Sequence, residues 1–332
     1  MRHRRAPGRR QATVAVLVLM MMAAIGLVGC QTSGNSPRPP SGGSGPSSGG
    51  PVIAAAGDIA CGPTDHPQLT KDTSGEVSTC SQMATSNLLQ RIHPTAVLEL
   101  GDNQYPVGRY ESYERYFGSS WGRFDSISHP VPGNHEYLSR DARGYYRYFG
   151  SAAGDPSRGY YSYDLGRWHL IALNAECDFI GGCAAGSAEE RWLAADLRQH
   201  PAACILAYWH QPRFSSGEHG DDPVYDAFWR DLFASHADVV LNGHDHDYER
   251  FAPQDPSGRA DPSGIREFVV GTGGKSHYGF RTIRPNSVVR NATASGVLVM
   301  TLHPDGYSWR FESVNGSFQD SGTARCHGAG GQ

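Results

Sequence analysis

Five short polar segments, each placed directly after an apolar run, carry side chains that can bind metal ions. They are Gly57-Asp58, Gly101-Asp102-Asn103-Gln104-Tyr105, Gly133-Asn134-His135-Glu136, Tyr208-Trp209-His210 and Gly243-His244-Asp245-His246. A buried strand holds its C-terminal end at a fixed point, and glycine lets the backbone bend sharply there. The donors are oxygens and imidazole nitrogens without a thiolate, which favours Fe, Mn or Zn over softer metals.

Seven of these side chains are candidate ligands, which is too many for one four-coordinate zinc ion. The candidates are Asp58, Asp102, Tyr105, Asn134, His210, His244 and His246. Two ions bridged by one carboxylate would use all of them. Such a pair can hold a phosphoryl group between the ions and bring the pKa of a bound water towards neutrality. The segments therefore indicate a dinuclear site suited to phosphoester hydrolysis.

Taken together and in this order, the five segments resemble those of the calcineurin-like metallophosphoesterase superfamily. The segment from Gly101 to Tyr105, together with the run from Gly243 to Arg250, is similar to the purple acid phosphatase branch. The resemblance covers about residues 52–320. It implies a mixed α/β (α+β) fold, a four-layer αββα sandwich in which helices flank two mixed β-sheets.

The resemblance also implies a role for each ligand. The first metal, which is typically ferric iron in this branch, would be bound by Asp58, Asp102, Tyr105 and His246. The second, a divalent Fe, Zn or Mn ion, would be bound by Asp102, Asn134, His210 and His244, so that Asp102 bridges the pair. A phenolate is a hard anionic donor, which is a physical reason for a trivalent ion beside Tyr105.

Two further histidines match family positions that contact the substrate phosphate or protonate the leaving oxygen. His135 lies inside a motif, whereas the assignment of His219 depends on its distance from His210 along the chain. Glu136 has two interpretations of equal weight, as support for His135 or as a solvated acid.

The activity that the resemblance implies is hydrolysis of small phosphate monoesters by in-line attack of a metal-activated hydroxide. A phosphodiesterase acting on nucleotides or glycerophosphodiesters is the alternative within the superfamily. A catalytically silent surface protein that binds cell-wall or phosphate-bearing ligands is the alternative from another class. The presence of all seven candidate ligands argues against a silent protein.

Strands and helices alternate in the first part of the chain, and consecutive strands follow. Strands that end at ligand segments are expected at 51–58, 97–100, 129–132, 205–209 and 239–243, and further strands at 160–165, 168–174, 265–271, 297–302 and 307–314. Helices are expected at 82–91, after the capping residue Ser187, at 223–235 and within the aromatic stretch 106–128, which would cover a sheet. This order predicts a layered α/β domain.

The first 29 residues have the features of a targeting segment. A basic head precedes an apolar stretch from Ala12 to Val28, and Leu27-Val28-Gly29-Cys30 follows the pattern of a bacterial lipoprotein cleavage site. We expect a signal peptide at 1–29 and lipidation of Cys30, which would hold the protein on the outer face of the cell membrane, or secretion. An uncleaved membrane anchor is the alternative.

The rest of the chain divides into a tether and one domain. Residues 30–50 are rich in Ser, Gly and Pro and predict a flexible tether, and the catalytic domain is expected at 51–326. The β-sandwich domain that precedes the catalytic unit in plant members has no expected counterpart before Pro51. Without the five arginines of residues 1–29, the formal charge falls from −4 to −9, so we expect no specific nucleic-acid partner.

Six cysteines besides Cys30 favour three disulfides in an exported protein. They are Cys61, Cys80, Cys177, Cys183, Cys204 and Cys326. The Cys177–Cys183 pair flanks a Gly-Gly turn and is the best supported. Cys61–Cys80 would close another local loop, which leaves Cys204 to pair with Cys326 and pin the C-terminus. Fifteen pairings remain possible from the sequence. A zinc cluster is the competing interpretation, although no C-x-x-C spacing occurs among the six cysteines.

Overall fold

The computed structural model describes residues 49–62 and 80–328. The expected signal peptide, the lipidation site at Cys30 and nearly all of the tether lie outside these residues. Within the described part of the chain, no helix is both long and apolar enough to cross a membrane.

Fourteen strands and seven α-helices make up the regular structure of the described residues. The strands are β1 (Val52–Ala56), β2 (Ala60–Cys61), β3 (Ala96–Glu99), β4 (Gln104–Tyr105), β5 (Tyr161–Leu165), β6 (Trp168–Ala172), β7 (Cys204–Tyr208), β8 (Val239–Asn242), β9 (Tyr248–Phe251), β10 (Arg266–Val270), β11 (Ser287–Asn291), β12 (Gly296–His303), β13 (Gly306–Ser313) and β14 (Gln319–Arg325). The helices are α1 (Gln82–Ile92), α2 (Tyr110–Ser112), α3 (Asn134–Tyr137), α4 (Arg143–Phe149), α5 (Cys177–Ile180), α6 (Ala188–Gln199) and α7 (Asp226–Ala234).

The strands form two large mixed sheets and one small one. The five-stranded sheet has the order β14-β13-β12-β1-β3, and the seven-stranded sheet has the order β11-β9-β10-β8-β7-β6-β5. Strands β6, β7, β8 and β10 run parallel, and antiparallel strands complete the edges. Strand β1 is parallel to β3 and antiparallel to β12. Strands β2 and β4 pair by themselves.

The parallel strands are buried on both faces, which explains why their sequences read as nearly continuous apolar runs. In β7, Leu206 and Tyr208 belong to the core between the two sheets. Ile205 and Ala207 alternate with them and pack in a second core with residues of α6 and α7. Helices α6 and α7 connect β6 to β7 and β7 to β8, as crossovers between parallel strands require.

Helix α1 connects β1 to β3 and buries Leu88 and Leu89 on the five-stranded sheet. Its partner in this outer layer is the 3₁₀ helix Trp121–Ile127, where the Trp121 indole donates to Thr85 Oγ1 at 3.0 Å. The described domain therefore has four layers: helices, the seven-stranded sheet, the five-stranded sheet and helices. This confirms the fold class expected from the sequence.

Two predicted elements differ in detail from the structure. The stretch 106–128 is not one helix but α2, a π-helical turn (Tyr113–Phe117) and the 3₁₀ helix Trp121–Ile127. The strand expected at 129–132 forms only isolated bridges to the β3 segment, which makes it an irregular edge. The remaining expected elements are present, including the cap of α6, where the Ser187 hydroxyl accepts from the Glu190 amide. Strands β2, β4, β9, β11 and β14 and the short helices α3, α4 and α5 were not predicted.

All six cysteines in the described residues form disulfides. The pairs are Cys61–Cys80, Cys177–Cys183 and Cys204–Cys326. This confirms the favoured pairing over the zinc interpretation. The third bridge joins the start of β7 to the residue after β14, and so links the two large sheets across 122 residues of chain.

An ion-pair network surrounds His169, a buried residue near the start of β6. His169 Nδ1 lies 2.7 Å from Asp164 Oδ1, and its Nε2 lies 2.8 Å from Asp196 Oδ2. Burial lowers the pKa of His169, but the hydrogen bonds and charges of Asp196 and Asp164 outweigh it and raise the pKa above the usual value. Burial opposes the effect of His169 on Asp196, yet the pKa of Asp196 is lowered overall.

We expect this network to stabilise the fold most between about pH 4 and about pH 6.5, the ordinary pKa values of aspartate and histidine. The contribution of His169 is complete below its unfolded pKa and is lost as the pH rises through its raised folded pKa. The contribution of Asp196 to stability is lost as the pH falls through its lowered pKa in the folded protein. His169→Gln should therefore cost about 2 kcal/mol of unfolding free energy at pH 5.5 and less at pH 9.

Urea unfolding at both pH values, with His303→Gln as a control, measures this difference. A cost for His169→Gln that is independent of pH, or that grows with pH, would contradict the expected charge state of the network.

Candidate metal centre

The candidate ligands lie where the two large sheets bring together the carboxyl ends of their parallel strands. Asp58 follows β1, Asp102 follows β3, His210 follows β7 and His244 follows β8. Backbone hydrogen bonds join these loops: the Asp58 amide donates to Gly101 O at 3.0 Å, and the Gly243 amide donates to His210 O at 2.9 Å. The sheet topology therefore positions residues that are far apart in the sequence at one edge.

Three candidate ligands adopt a left-handed backbone conformation, which is uncommon outside glycine. The φ angles are 61° at Asp58, 48° at Asp102 and 70° at His244. Such strained residues cluster at functional sites, where the surrounding structure holds them in place.

Close backbone approach explains two of the glycines in the ligand segments. A Cβ on Gly101, whose φ is 86°, would lie 2.5 Å from His210 Nδ1. A Cβ on Gly133 would lie 2.4 Å from Asp102 Oδ1. Neither position has room for a side chain, so the glycines allow the loops to approach each other around the ligands.

Asp102 lies at the centre of the donor group. Its Oδ2 lies 2.9 Å from the Tyr105 hydroxyl and 3.3 Å from His210 Nε2. The Tyr105 hydroxyl also lies 2.7 Å from Asp58 Oδ1 and 3.0 Å from His246 Nε2. One carboxylate thus contacts two sets of donors, with Asp58, Tyr105 and His246 on one side and His210 on the other.

His244 extends the second set of donors. Its Nδ1 lies 3.3 Å from His210 Nε2, and its amide donates to Asp58 Oδ2 at 2.8 Å. Asn134 begins α3 directly after Gly133, which lies against Asp102. The structure therefore brings all seven sequence-predicted ligands to one site.

Hydrogen bonds to backbone carbonyls orient two of the imidazole rings. His210 Nδ1 lies 2.8 Å from Leu100 O, and His246 Nδ1 lies 2.7 Å from Ser276 O. A carbonyl only accepts, so Nδ1 carries a proton in each ring, and Nε2 is left as the nitrogen that would bind a metal ion. This arrangement is typical of metal-binding histidines.

Burial and neighbouring charges shift the pKa values of the candidate ligands even without a metal ion. Burial raises the pKa of the Tyr105 phenol well above its usual value, and the charges of Asp102 and Asp58 add to this effect. Burial lowers the pKa of His210, but Asp102 and Asp58 raise it to about 10 overall. Tyr105 would therefore ionise only beside a strong Lewis acid, such as a trivalent metal ion.

The donor set fits a pair of metal ions on two further observations. Asn134 Oδ1 is buried and has no hydrogen-bond partner among the described residues, as expected of an oxygen reserved for a ligand. The ligand atoms of Asp58, Asp102 and His210 all lie within 4.8 Å of one another, and these side chains are buried. Buried anionic oxygens this close to one another repel each other unless cations lie between them.

The two histidines expected to act on substrate lie at the rim of this donor group. His135 Nε2 lies 3.8 Å from Asp102 Oδ2, and its Nδ1 lies 2.7 Å from Pro106 O. The ring of His219 packs on that of His244 with centroids 4.1 Å apart. The side chains are 28% and 42% exposed, so each remains accessible to a ligand.

The structure adds a partner for His219 that the sequence did not assign. Buried Asp245 receives hydrogen bonds from the His219 amide at 2.9 Å and from its Nδ1 at 2.8 Å. Ser215 Oγ donates to the other carboxylate oxygen. The position of Asp245 between the candidate ligands His244 and His246 was the available signal in the sequence.

Glu136 supports the ligand loops rather than the His135 ring. It is fully buried and accepts from the Asn103, Gln104 and Gly133 amides at 3.1, 3.2 and 2.8 Å. The Tyr113 hydroxyl donates to it at 2.8 Å. The solvated-acid interpretation is therefore wrong: Glu136 holds together the loops that carry Asp102 and Asn134.

Known proteins share this sequence pattern and fold. The sequence model of the family described as "Calcineurin-like phosphoesterase" matches residues 53–248. The chain is 27% identical to purple acid phosphatase 18 of Arabidopsis thaliana over 188 residues, which cover 49% of this chain and 41% of the relative. The chain thus spans less than half of that relative's length.

Two solved structures share the fold. A purple acid phosphatase from yellow lupin (Lupinus luteus) seeds matches with a TM-score of 0.63 and 18% identity, over 83% of this chain and 53% of the other. GAP50, the anchor in the inner membrane complex of Plasmodium, matches with a TM-score of 0.55 and 15% identity, over 84% of this chain and 89% of the other. The family match covers more than half of the chain, and the chain therefore belongs to the calcineurin-like phosphoesterase family.

Proposed function

We propose that this chain is a dinuclear-metal phosphatase that hydrolyses small phosphate monoesters. The observation that carries the proposal is the position of Asp102, whose carboxylate contacts the Tyr105 hydroxyl on one side and the His210 imidazole on the other. A carboxylate shared by two donor sets is what a bridged metal pair requires. The similarity to purple acid phosphatases supports the same reaction class.

The residues that would hold the two metals follow from this arrangement. Asp58, Tyr105 and His246 form one donor set with Asp102, and Asn134, His210 and His244 form the other. The phenol of Tyr105 suits ferric iron in the first set, and a divalent Fe, Zn or Mn ion suits the second. When bound, such a pair supplies Lewis-acid stabilisation of phosphoryl oxygens and lowers the pKa of a coordinated water.

Two histidines of the chain would bind the substrate and supply a proton to the leaving group. His219 Nδ1 donates to Asp245, so the ring is held in one orientation with Nε2 directed away from that carboxylate. Nε2 can carry the proton that a leaving alkoxide needs, which is the work of a general acid. His135 presents Nε2 beside Asp102 and can hold a phosphoryl oxygen by a hydrogen bond.

An assay of two nitrophenyl substrates tests the proposal. Protein prepared with iron present should hydrolyse p-nitrophenyl phosphate with a higher kcat/KM than bis(p-nitrophenyl) phosphate across an acidic to neutral pH series. A preference for the diester would contradict monoester specificity and favour the phosphodiesterase. Metal-loaded protein that turns over neither substrate would favour a silent binding protein.

We also propose that the protein acts outside the cytoplasm, attached by a lipid at Cys30. Three disulfides support an oxidising compartment. Mass spectrometry of the membrane fraction should find an N-terminal peptide that begins with a diacylated Cys30. An unmodified peptide that extends through residues 1–29 would contradict this proposal and favour an uncleaved anchor.

A further inference from the structure

Lys275 stands out among the cations of the chain. It is one of only two lysines, against 27 arginines. Its ammonium nitrogen lies 5.3 Å from the ring centroid of Tyr105, a candidate metal ligand. Among the described residues, the ammonium group has no hydrogen-bond partner and no carboxylate within salt-bridge distance. A partly buried ammonium without a counter-ion therefore lies beside the donor group.

The backbone around Lys275 is held rigidly against the loop that carries Asp58. The Lys275 amide donates to Asp58 O at 2.8 Å, and the Gly273 amide donates to Gly57 O at 2.9 Å. A Cβ on Gly273 would lie 2.5 Å from Gly57 O, and one on Gly274 would lie 2.3 Å from Ile59 O. The position of Lys275 is therefore determined by the loops that bind the candidate first metal.

The charge of Lys275 is costly unless an anion offsets it. Asp58, whose backbone carbonyl accepts from the Lys275 amide, is the acid whose charge acts on this ammonium. Asp58 is itself a candidate metal ligand, so its negative charge would be shared with a cation in the loaded protein. Lys275 then remains available to a second anion at the site. A lysine ammonium is a compact point charge with three donors, which suits a phosphoryl oxygen.

Charge also distinguishes the two classes of ester. A phosphate monoester carries between one and two negative charges near neutral pH, because its second pKa is about 6. A diester carries only one at any pH above its single low pKa. An ammonium placed beside the metal pair therefore attracts the monoester more strongly than the diester. The difference grows as the monoester loses its second proton.

We propose that Lys275 is a substrate-binding residue that contacts the phosphoryl group of monoesters and contributes to their selection over diesters. The inference rests on the proposed function, since it assigns a residue to the same site. It places Lys275 at the Tyr105 side of the donor group, whereas His219 lies beside His244.

The test compares Lys275→Gln and Lys275→Arg with the wild-type metal-loaded protein. We expect Lys275→Gln to lower kcat/KM for p-nitrophenyl phosphate about 10- to 100-fold, the range for a hydrogen bond to a charged group. It should weaken the binding of inorganic phosphate, measured by calorimetry, by a similar factor. The loss for bis(p-nitrophenyl) phosphate should be several-fold smaller, and Lys275→Arg should recover part of the phosphate affinity.

Metal content and circular dichroism of each variant exclude a structural cause, and Arg325→Gln, an exposed charge at the end of β14, is the matched control. Unchanged phosphate affinity in Lys275→Gln would overturn the inference, and equal losses for both esters would overturn the assigned selectivity. If the wild type hydrolyses neither ester, the proposed function fails. Phosphate affinity then still decides the role of Lys275.

Discussion

Replacing Asp102 with alanine is expected to lower turnover by about 1,000-fold or more and to weaken the binding of both metal ions by about 100-fold or more. The physical reason is that one carboxylate serves both donor sets, with Oδ2 contacting Tyr105 on one side and His210 on the other. Its Oδ1 also accepts from the His135 amide at 2.8 Å, so the substrate-contacting loop loses an anchor.

Metal analysis, isothermal titration and the nitrophenyl phosphate assay measure these effects together. Asp305→Ala is the control, because the Asp305 side chain is exposed and pairs with Arg325 on the surface. Near-full activity in Asp102→Ala, with two metals still bound, would show that Asp102 does not bridge. Retained circular dichroism is required of the variant, so that loss of metal is not mistaken for loss of fold.

Replacing Tyr105 with phenylalanine is expected to abolish a broad visible charge-transfer band of the iron-loaded protein. The hydroxyl lies within 3.0 Å of Asp58, Asp102 and His246, so it is the group placed to become a phenolate donor. Burial and the two carboxylates raise its pKa well above the usual value, and a strong Lewis acid such as a ferric ion would lower it again. Phenylalanine has no donor, and the iron affinity of the first set should fall with the band.

The visible spectrum and the iron content measured on the same sample check this expectation. Tyr278→Phe is the matched control, because Tyr278 stacks on the His246 ring at 4.0 Å but is not a candidate ligand. An unchanged band in Tyr105→Phe would contradict the ligand assignment. A wild type that is colourless and free of iron, yet active, would contradict the ferric site and leave the phosphoesterase chemistry intact.

Most of the fold was predictable because its central strands are buried on both faces. Apolar runs such as Ile205–Tyr208 and Val239–Leu241 indicate strands whatever their partners. The prediction was less accurate for the segments whose structure depends on a neighbour. The aromatic stretch 106–128 forms short helical turns rather than one helix, because α2 and the π-helical turn pack on α4 whereas the 3₁₀ helix Trp121–Ile127 packs on α1. Strand β14 alternates exposed and half-buried residues on an edge and lacks an apolar run.

The candidate ligands were also predictable, for a related reason. A ligand that follows a strand and a glycine has a backbone position that local sequence largely determines, so residue type and spacing identify it. Asp58, Asp102 and His244 all show the left-handed backbone expected of such sharp bends. The order of the five segments then identified the family before any contact was known.

The sequence by itself determined the set of candidate donors: two carboxylates, a phenol, an amide and imidazoles at strand ends, which suit a dinuclear site. Only the tertiary structure decided what surrounds those ligands. It placed Asp245 on His219, Glu136 on two ligand loops, and the Lys275 ammonium 5.3 Å from the centroid of the Tyr105 ring. These contacts join separate loops, and the packing of the two sheets, rather than local spacing, sets which side chains meet there.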